Sequence, residues 1–143
     1  MGTGPYSSYA NQWTNPNYVD TSGTKEQLQT RLSQIQNSAI NAKAKYDEYD
    51  GFISKLVSTK NDLSNGISYL ESAILLYTTY IKSDVTDPVK QDMMSDCLTL
   101  KDINTKLETV KSEAYSMRNK YKADLERYLA QCQTLNSKIK SMP

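Results

Sequence analysis

The sequence contains no histidine, which is the only side chain whose unperturbed pKa lies near neutral pH and the commonest metal ligand in proteins. Without histidine the chain cannot form a Ser-His or Cys-His nucleophile pair. The sequence also has no glycine-rich phosphate-binding motif and no paired-cysteine motif. The carboxylates of residues 47–50 precede Gly51 but lack the ligand order of a calcium loop. We therefore predict a protein that is not an enzyme and that holds neither a metal nor another cofactor.

Long apolar runs are missing as well. The longest, Ala73–Tyr77, has five residues, whereas a membrane-spanning helix needs about 20. The first residues show neither the basic nor the apolar region of a secretory signal peptide. The 17 Lys+Arg and 16 Asp+Glu are interspersed, which does not favour nucleic-acid binding. We expect a chain without a membrane span that works inside a cell or within a particle and has protein partners.

Glycine and proline are scarce and concentrate at the N-terminus. Residues 1–23 hold three of the five glycines and two of the four prolines, and they contain no lysine or arginine. Because proline opposes a helix, we predict an extended arm over residues 1–23 and a helical hairpin domain over residues 24–143. Trp13 and Tyr18 of the arm are candidate partner-binding residues, since aromatic side chains anchor many interfaces. A disordered tail is the alternative.

From Thr24 onward, apolar or small residues recur at alternating spacings of three and four. This is a heptad repeat, in which one stripe of a helix, here called the seam, faces a partner helix. The pattern predicts a first helix over about residues 24–82, with Thr24 as its N-cap and Gln27 as its capping-box partner. Only Lys60 interrupts the seam. Its other members are Leu28, Leu32, Ile35, Ala39, Ala42, Tyr46, Tyr49, Ile53, Leu56, Leu63, Ile67, Leu70, Ile74, Tyr77 and Ile81.

A second helix is predicted over residues 88–141. Asp87 suits its N-cap and Pro88 its first helical position. A four-residue step between Tyr121 and Leu125 adds a stutter to the seam, which locally unwinds a supercoil. The predicted seam consists of Val89, Met93, Asp96, Leu100, Ile103, Leu107, Val110, Ala114, Met117, Tyr121, Leu125, Tyr128, Cys132, Leu135, Ile139 and Met142. The two cysteines are interpreted as small apolar fillers, with an intermolecular disulfide as the alternative.

Two helices of nearly equal length, each about 80–90 Å long, are joined by a short loop. This arrangement predicts an all-α fold, a long antiparallel coiled-coil helical hairpin. A register centred near Val85 pairs Leu56 with Ala114 and Lys60 with Val110. The alternative is a compact three-helix bundle in which the first helix breaks near Gly51.

A second apolar stripe runs beside the seam of the first helix. It consists of Tyr69, Ala73, Leu76 and Tyr80, and Met94 and Leu98 lie off the seam in the facing stretch of the second helix. Exposed apolar patches of this kind mark interaction sites. We predict that these six residues bind a protein partner or a second copy of the chain. The alternative is a locally thicker core with the arm folded onto it.

Charge is unevenly distributed along the chain. Residues 25–46 and 103–143 together contain 12 basic and 5 acidic residues, whereas residues 47–102 contain 5 basic and 10 acidic residues. In a hairpin this separates a basic end, which holds the termini, from an acidic end at the loop. The separation favours head-to-tail attraction between copies or contact with an acidic partner. The alternative is solvated helix faces with ordinary i,i+4 pairs.

A helical hairpin with one tryptophan resembles the small WXG-type proteins exported by specialised secretion systems. Trp13 departs from that motif, because Thr14-Asn15 follow it and it lies in the arm. Prefoldin-like chaperone subunits also carry hairpin coiled coils, but residues 83–87 are too few for their strands. We predict a non-enzymatic structural or assembly protein, a coiled-coil scaffold or cement component of a multi-copy particle such as a virion. The alternative is a WXG-like soluble adaptor or secreted protein that binds a helical partner.

Overall fold

The computed structural model describes residues 16–143 and contains two long α-helices packed against each other. Helix α1 spans Lys25–Tyr80 and helix α2 spans Pro88–Lys140, with 56 and 53 residues respectively. Their bounds lie within two residues of the predicted ones, and the prediction of an all-α helical hairpin is confirmed. The three-helix alternative is wrong, since α1 continues without a break through Gly51 and Gly66.

Both helices begin where side chains satisfy their free backbone N–H groups. The Gln27 amide N–H donates to Thr24 Oγ1 at 3.2 Å, and the Thr24 amide N–H donates to Gln27 Oε1 at 2.9 Å, which is the predicted capping box. Before α2, Asp87 Oδ2 accepts from the Lys90 amide N–H at 3.1 Å. The first residue of α2 is Pro88, whose missing N–H costs nothing at this position.

The chain forms two compact units, each built from one segment of α1 and one of α2. The terminal unit contains residues 16–48 and 117–143 of the described chain, and the loop unit contains residues 49–116. The core of the terminal unit consists of Leu28, Ala39, Ala42, Cys132 and Leu135. The core cluster of the loop unit consists of Ile53, Leu56 and Ala114, with Tyr49, Leu107 and Tyr115 packed against it. The division into an arm of residues 1–23 and a hairpin domain stays a prediction, since residues 1–15 lie outside the described part.

The seam of α1 follows the predicted positions from Leu28 to Tyr77, all of which are buried or half-buried. Lys60 takes its place in the seam and is half-buried. The one predicted member that differs is Ile81, which is exposed because the helix has ended at Tyr80.

Four positions in the first half of the α2 seam were predicted wrongly. Val89, Asp96, Ile103 and Val110 are exposed. Instead, one heptad pattern without a stutter runs through buried and half-buried positions along the whole helix. Its members are Lys90, Met93, Cys97, Leu100, Asn104, Leu107, Lys111, Ala114, Arg118, Tyr121, Leu125, Tyr128, Cys132, Leu135, Ile139 and Met142. Met117, a predicted seam member outside this pattern, is also half-buried. The seam of α2 therefore accepts polar residues that sequence analysis had placed outside it.

A polar layer across the loop unit explains this choice of seam. Lys60 Nζ donates to Asn104 O at 3.1 Å and to Asn104 Oδ1 at 3.0 Å, and it lies 3.2 Å from Glu108 Oε2. Lys111 Nζ reaches the same carboxylate oxygen at 3.2 Å. Hydrogen bonds from Lys111 and then from Lys60 lower the pKa of Glu108. The predicted partner of Lys60, Val110, would have left its ammonium without a hydrogen bond, and a polar layer of this kind fixes the register of paired helices.

Candidate interaction surface

Exposed apolar side chains concentrate around the loop end of the loop unit. Among the described residues, ten of the fifteen large apolar side chains that are exposed lie between positions 69 and 103. They are Tyr69, Leu75, Leu76, Tyr80, Ile81, Val85, Val89, Met94, Leu98 and Ile103. Exposed apolar patches commonly mark sites that bind other proteins. The two helices distribute these residues over more than one surface.

One part of this surface is a groove of about 450 Å³ between the two helices. The groove is lined by Glu71, Ile74, Leu75 and Thr78 from α1 and by Lys90, Met94, Cys97, Leu98 and Lys101 from α2. Exposed Leu75, Met94 and Leu98 form its apolar walls. At its rim, Lys101 Nζ lies 3.7 Å from Glu71 Oε1 in a solvent-exposed ion pair, an interaction that contributes little to stability.

The groove also contains a buried lysine. Lys90 is only 8% exposed, and within residues 16–143 its ammonium has neither a hydrogen bond nor an ion pair, although its backbone amide caps α2. The helices bury the methylene stem of this side chain, whereas Nζ itself stays in contact with solvent. The ammonium of Lys90 is therefore available to an anionic group that enters the groove.

A second apolar surface, here called the tyrosine face, lies on the opposite side of the helix pair. One residue step turns a helix by about 100°, which places Tyr69, Ala73, Leu76 and Tyr80 on the flank of α1 away from Leu75. The same geometry places Val89, Asp92, Asp96 and Ile103 on the flank of α2 away from Leu98. Within the described chain, the carboxylates of Asp92 and Asp96 have no hydrogen-bond or ion-pair partner. The tyrosine face therefore combines apolar side chains with free carboxylates.

The structure thus divides the predicted partner-binding residues. Met94 and Leu98 line the groove, whereas Tyr69, Ala73, Leu76 and Tyr80 belong to the tyrosine face. Sequence analysis missed Leu75, Val89 and Ile103, which are exposed apolar members of the two surfaces. Two of these, Val89 and Ile103, had been assigned to the seam. Trp13 lies outside the described residues.

Tyr18, the remaining predicted binding residue, lies against α2 in the terminal unit. It is half-buried, and its carbonyl oxygen accepts from Gln131 Nε2 at 2.9 Å. Further along, Arg31 Nη1 donates to Asp20 O at 2.6 Å and to Ser22 O at 3.1 Å. These bonds attach residues 18–22 to the terminal unit by their backbone, and the Tyr18 side chain is only partly open to a partner.

Next to the two surfaces, Asp87 joins the loop to both helices. Its Oδ2 accepts from the Tyr77 hydroxyl at 2.7 Å as well as from the Lys90 amide, and its Oδ1 lies 3.7 Å from Lys82 Nζ. The hydrogen bond from Tyr77, followed by the one from Lys90, lowers the pKa of Asp87. The same contact with Asp87 raises the pKa of Tyr77. At neutral pH the Asp87 carboxyl group is therefore ionised and the Tyr77 hydroxyl group is protonated.

The lowered pKa of Asp87 gives the protein a predictable sensitivity to acid. A carboxyl group whose pKa is lower in the folded state stabilises that state above its unfolded pKa of about 4, and the effect is lost as pH falls through the folded value. We expect the Asp87→Asn variant to melt about 3–6 °C lower at pH 7 and to lose less stability than wild type between about pH 5 and pH 3. Thermal melts followed by circular dichroism over this range would measure both effects.

The exposed Asp62→Asn variant is the control for this experiment, because that carboxylate has no partner within residues 16–143 and belongs to neither apolar surface. It should melt like wild type at every pH. If Asp87→Asn and wild type lost stability equally on acidification, protonation of Asp87 would not be the cause of the loss of stability in acid.

Other chemistry is sparse in the described part of the chain. Cys97 and Cys132 are both free and buried, and burial raises the pKa of the Cys132 thiol. Residues 16–143 contain no group of three or more side chains that could hold a metal ion. None of the helices in this range is both long and apolar enough to cross a membrane. Comparison with protein-family models, curated proteins and solved structures found no match.

Proposed function

We propose that this protein is a non-enzymatic structural protein, a helical-hairpin scaffold or cement component of a multi-copy particle such as a virion. The observation that carries the proposal is the concentration of exposed apolar residues on two sides of the loop unit. A single surface would serve one partner, whereas two surfaces allow each copy to contact two neighbours. Removal of this apolar area from water would provide the driving force for assembly.

The native mass of the complex that contains the chain tests this proposal. Lysate from the source would be separated by size-exclusion chromatography with light scattering, and the chain would be detected by antibody and counted per complex by quantitative mass spectrometry. We expect the chain in large particles that hold many copies. A chain that elutes as a free monomer of 16.2 kDa would contradict the proposal.

The groove favours a second candidate function, that of a WXG-like adaptor. A cleft between two helices with apolar walls accepts the apolar face of a third helix, which is a common mode of peptide recognition. An adaptor of this kind would elute as a stoichiometric 1:1 complex with another protein. The number of copies per complex therefore separates the two functions in one measurement.

A further inference from the structure

We propose that the groove of one copy binds the tyrosine face of a second copy, so that the chains associate through two different surfaces. This inference rests on the proposed assembly function and specifies its contact. It starts from the fact that both surfaces belong to the loop unit and lie on opposite sides of the same helix pair. Each copy then has one groove to offer and one tyrosine face to insert.

Charge complementarity supports this pairing. The groove holds the ammonium of Lys90, which has no partner within residues 16–143 and stays in contact with solvent although the residue as a whole is 8% exposed. The tyrosine face holds the unpaired carboxylates of Asp92 and Asp96 between its apolar side chains. Contact between the two surfaces would bring a carboxylate toward the ammonium while Leu76 and Tyr80 cover Leu75 and Leu98. The Coulomb attraction of such a pair is stronger in a closed apolar surface than in water, and it favours this pairing of surfaces over others.

The same charges oppose symmetrical contacts. Groove against groove would bring two Lys90 side chains together, and tyrosine face against tyrosine face would bring four carboxylates together. Like charges brought together at an interface are unfavourable and suppress such arrangements. The loop unit carries ten acidic and seven basic residues, but repulsion between whole units is screened beyond about 8 Å at physiological salt. Local pairing at the contact therefore decides the arrangement.

A contact between two different surfaces determines how many copies an assembly can contain. After two copies have joined, one groove and one tyrosine face remain free, so further copies can add. Such contacts produce either a closed ring or an open filament. This outcome fits a protein that forms part of a multi-copy particle, and it differs from a symmetrical dimer, in which both copies use the same surface.

Three matched leucine-to-glutamate variants test the inference. Leu98→Glu blocks the groove, Leu76→Glu blocks the tyrosine face, and Leu129→Glu alters an exposed leucine of the terminal unit as the control. Purified full-length proteins would be studied by sedimentation velocity across a range of concentrations. We expect wild type and Leu129→Glu to form oligomers whose size increases with concentration. Each blocked variant alone should associate at least tenfold more weakly and sediment as a monomer.

The decisive sample is an equal mixture of the two blocked variants. The intact tyrosine face of Leu98→Glu can enter the intact groove of Leu76→Glu, so the mixture should form a 1:1 dimer and nothing larger. A mixture that stays monomeric, or a single blocked variant that still dimerises, would overturn the inference. So would a wild type that is monomeric alone but holds a helix of another protein in the groove.

Folding is checked for each variant by circular dichroism and thermal melting. If Leu98→Glu or Leu76→Glu loses helical structure, Met94→Glu and Tyr80→Glu replace them, since these residues are exposed on the same two surfaces. The outcome of this test is independent of the native mass of the complex measured in lysate. A multi-copy particle in lysate combined with a monomeric mixture would reject the contact proposed here and keep the proposed function.

Discussion

Replacing Cys97 with glutamate should destabilise the protein by about 3 kcal/mol or more, because it places an unpaired charge in the seam. Cys97 is 5% exposed at the base of the groove. Glutamate is also larger than cysteine, so the substitution overpacks the contact between the helices. The free energy of unfolding would be obtained from urea titrations followed by far-UV circular dichroism, at a concentration low enough to keep the chain monomeric.

The matched comparison is Ile103→Glu, on the same helix and in the same unit. Ile103 belongs to the seam predicted from the sequence, yet it is 41% exposed. A charge there remains in contact with water, so we expect a cost below about 1 kcal/mol. If Ile103→Glu were the more damaging of the two, the seam with a stutter would be correct and the heptad without one would be wrong.

Replacing Leu135 with alanine should have the second large effect, a loss of about 3 kcal/mol in the free energy of unfolding. Leu135 is 0% exposed in the core of the terminal unit. Truncation removes buried methyl groups from their contacts and leaves a cavity that the rigid helices only partly fill. Urea titration would measure the change against wild type under identical conditions.

Leu129→Ala is the control for this substitution. It makes the same chemical change six positions away on α2, at a side chain that is 54% exposed. The effect on helix propensity is the same, so the difference between the variants isolates packing. We expect Leu129→Ala to lie within about 0.5 kcal/mol of wild type. Equal costs for both leucines would contradict the position of the seam in the terminal unit.

The sequence was sufficient to predict α1 and its seam. Each step of three or four residues places an apolar side chain on one stripe, and Gly51 and Gly66 lie off that stripe. A glycine in a helix costs about 1 kcal/mol, which is small beside the packing of fourteen apolar seam residues from Leu28 to Tyr77. The sequence also sufficed to predict the capping residues Thr24, Gln27 and Asp87, because capping requires a particular side chain at a particular position.

The sequence of α2 left its seam ambiguous. Two stripes share Met93, Leu100, Leu107 and Ala114, and the one that continues through Val89, Ile103 and Val110 is the more apolar. Counting apolar residues therefore favours the wrong stripe. The stripe in the structure is the one that gives the half-buried ammonium of Lys60 oxygen partners on the opposite helix.

The composition of the two candidate surfaces also depends on which stripe of α2 is buried. Sequence analysis identified Tyr69, Leu76, Tyr80, Met94 and Leu98 as apolar residues off the seam, but it could not assign them to sides of the helix pair. Which side a residue faces is set by the seam, and the seam of α2 is set by contacts with α1.

The sequence by itself therefore determined two long helices, their ends and the residues that α1 buries, because these follow from local spacing and capping. Only the tertiary structure decided which stripe of α2 is buried and that the exposed apolar residues form two opposed surfaces. The physical reason is that the half-buried ammonium of Lys60 is hydrogen-bonded by oxygens of the opposite helix, and these belong to Asn104, 44 residues away along the chain.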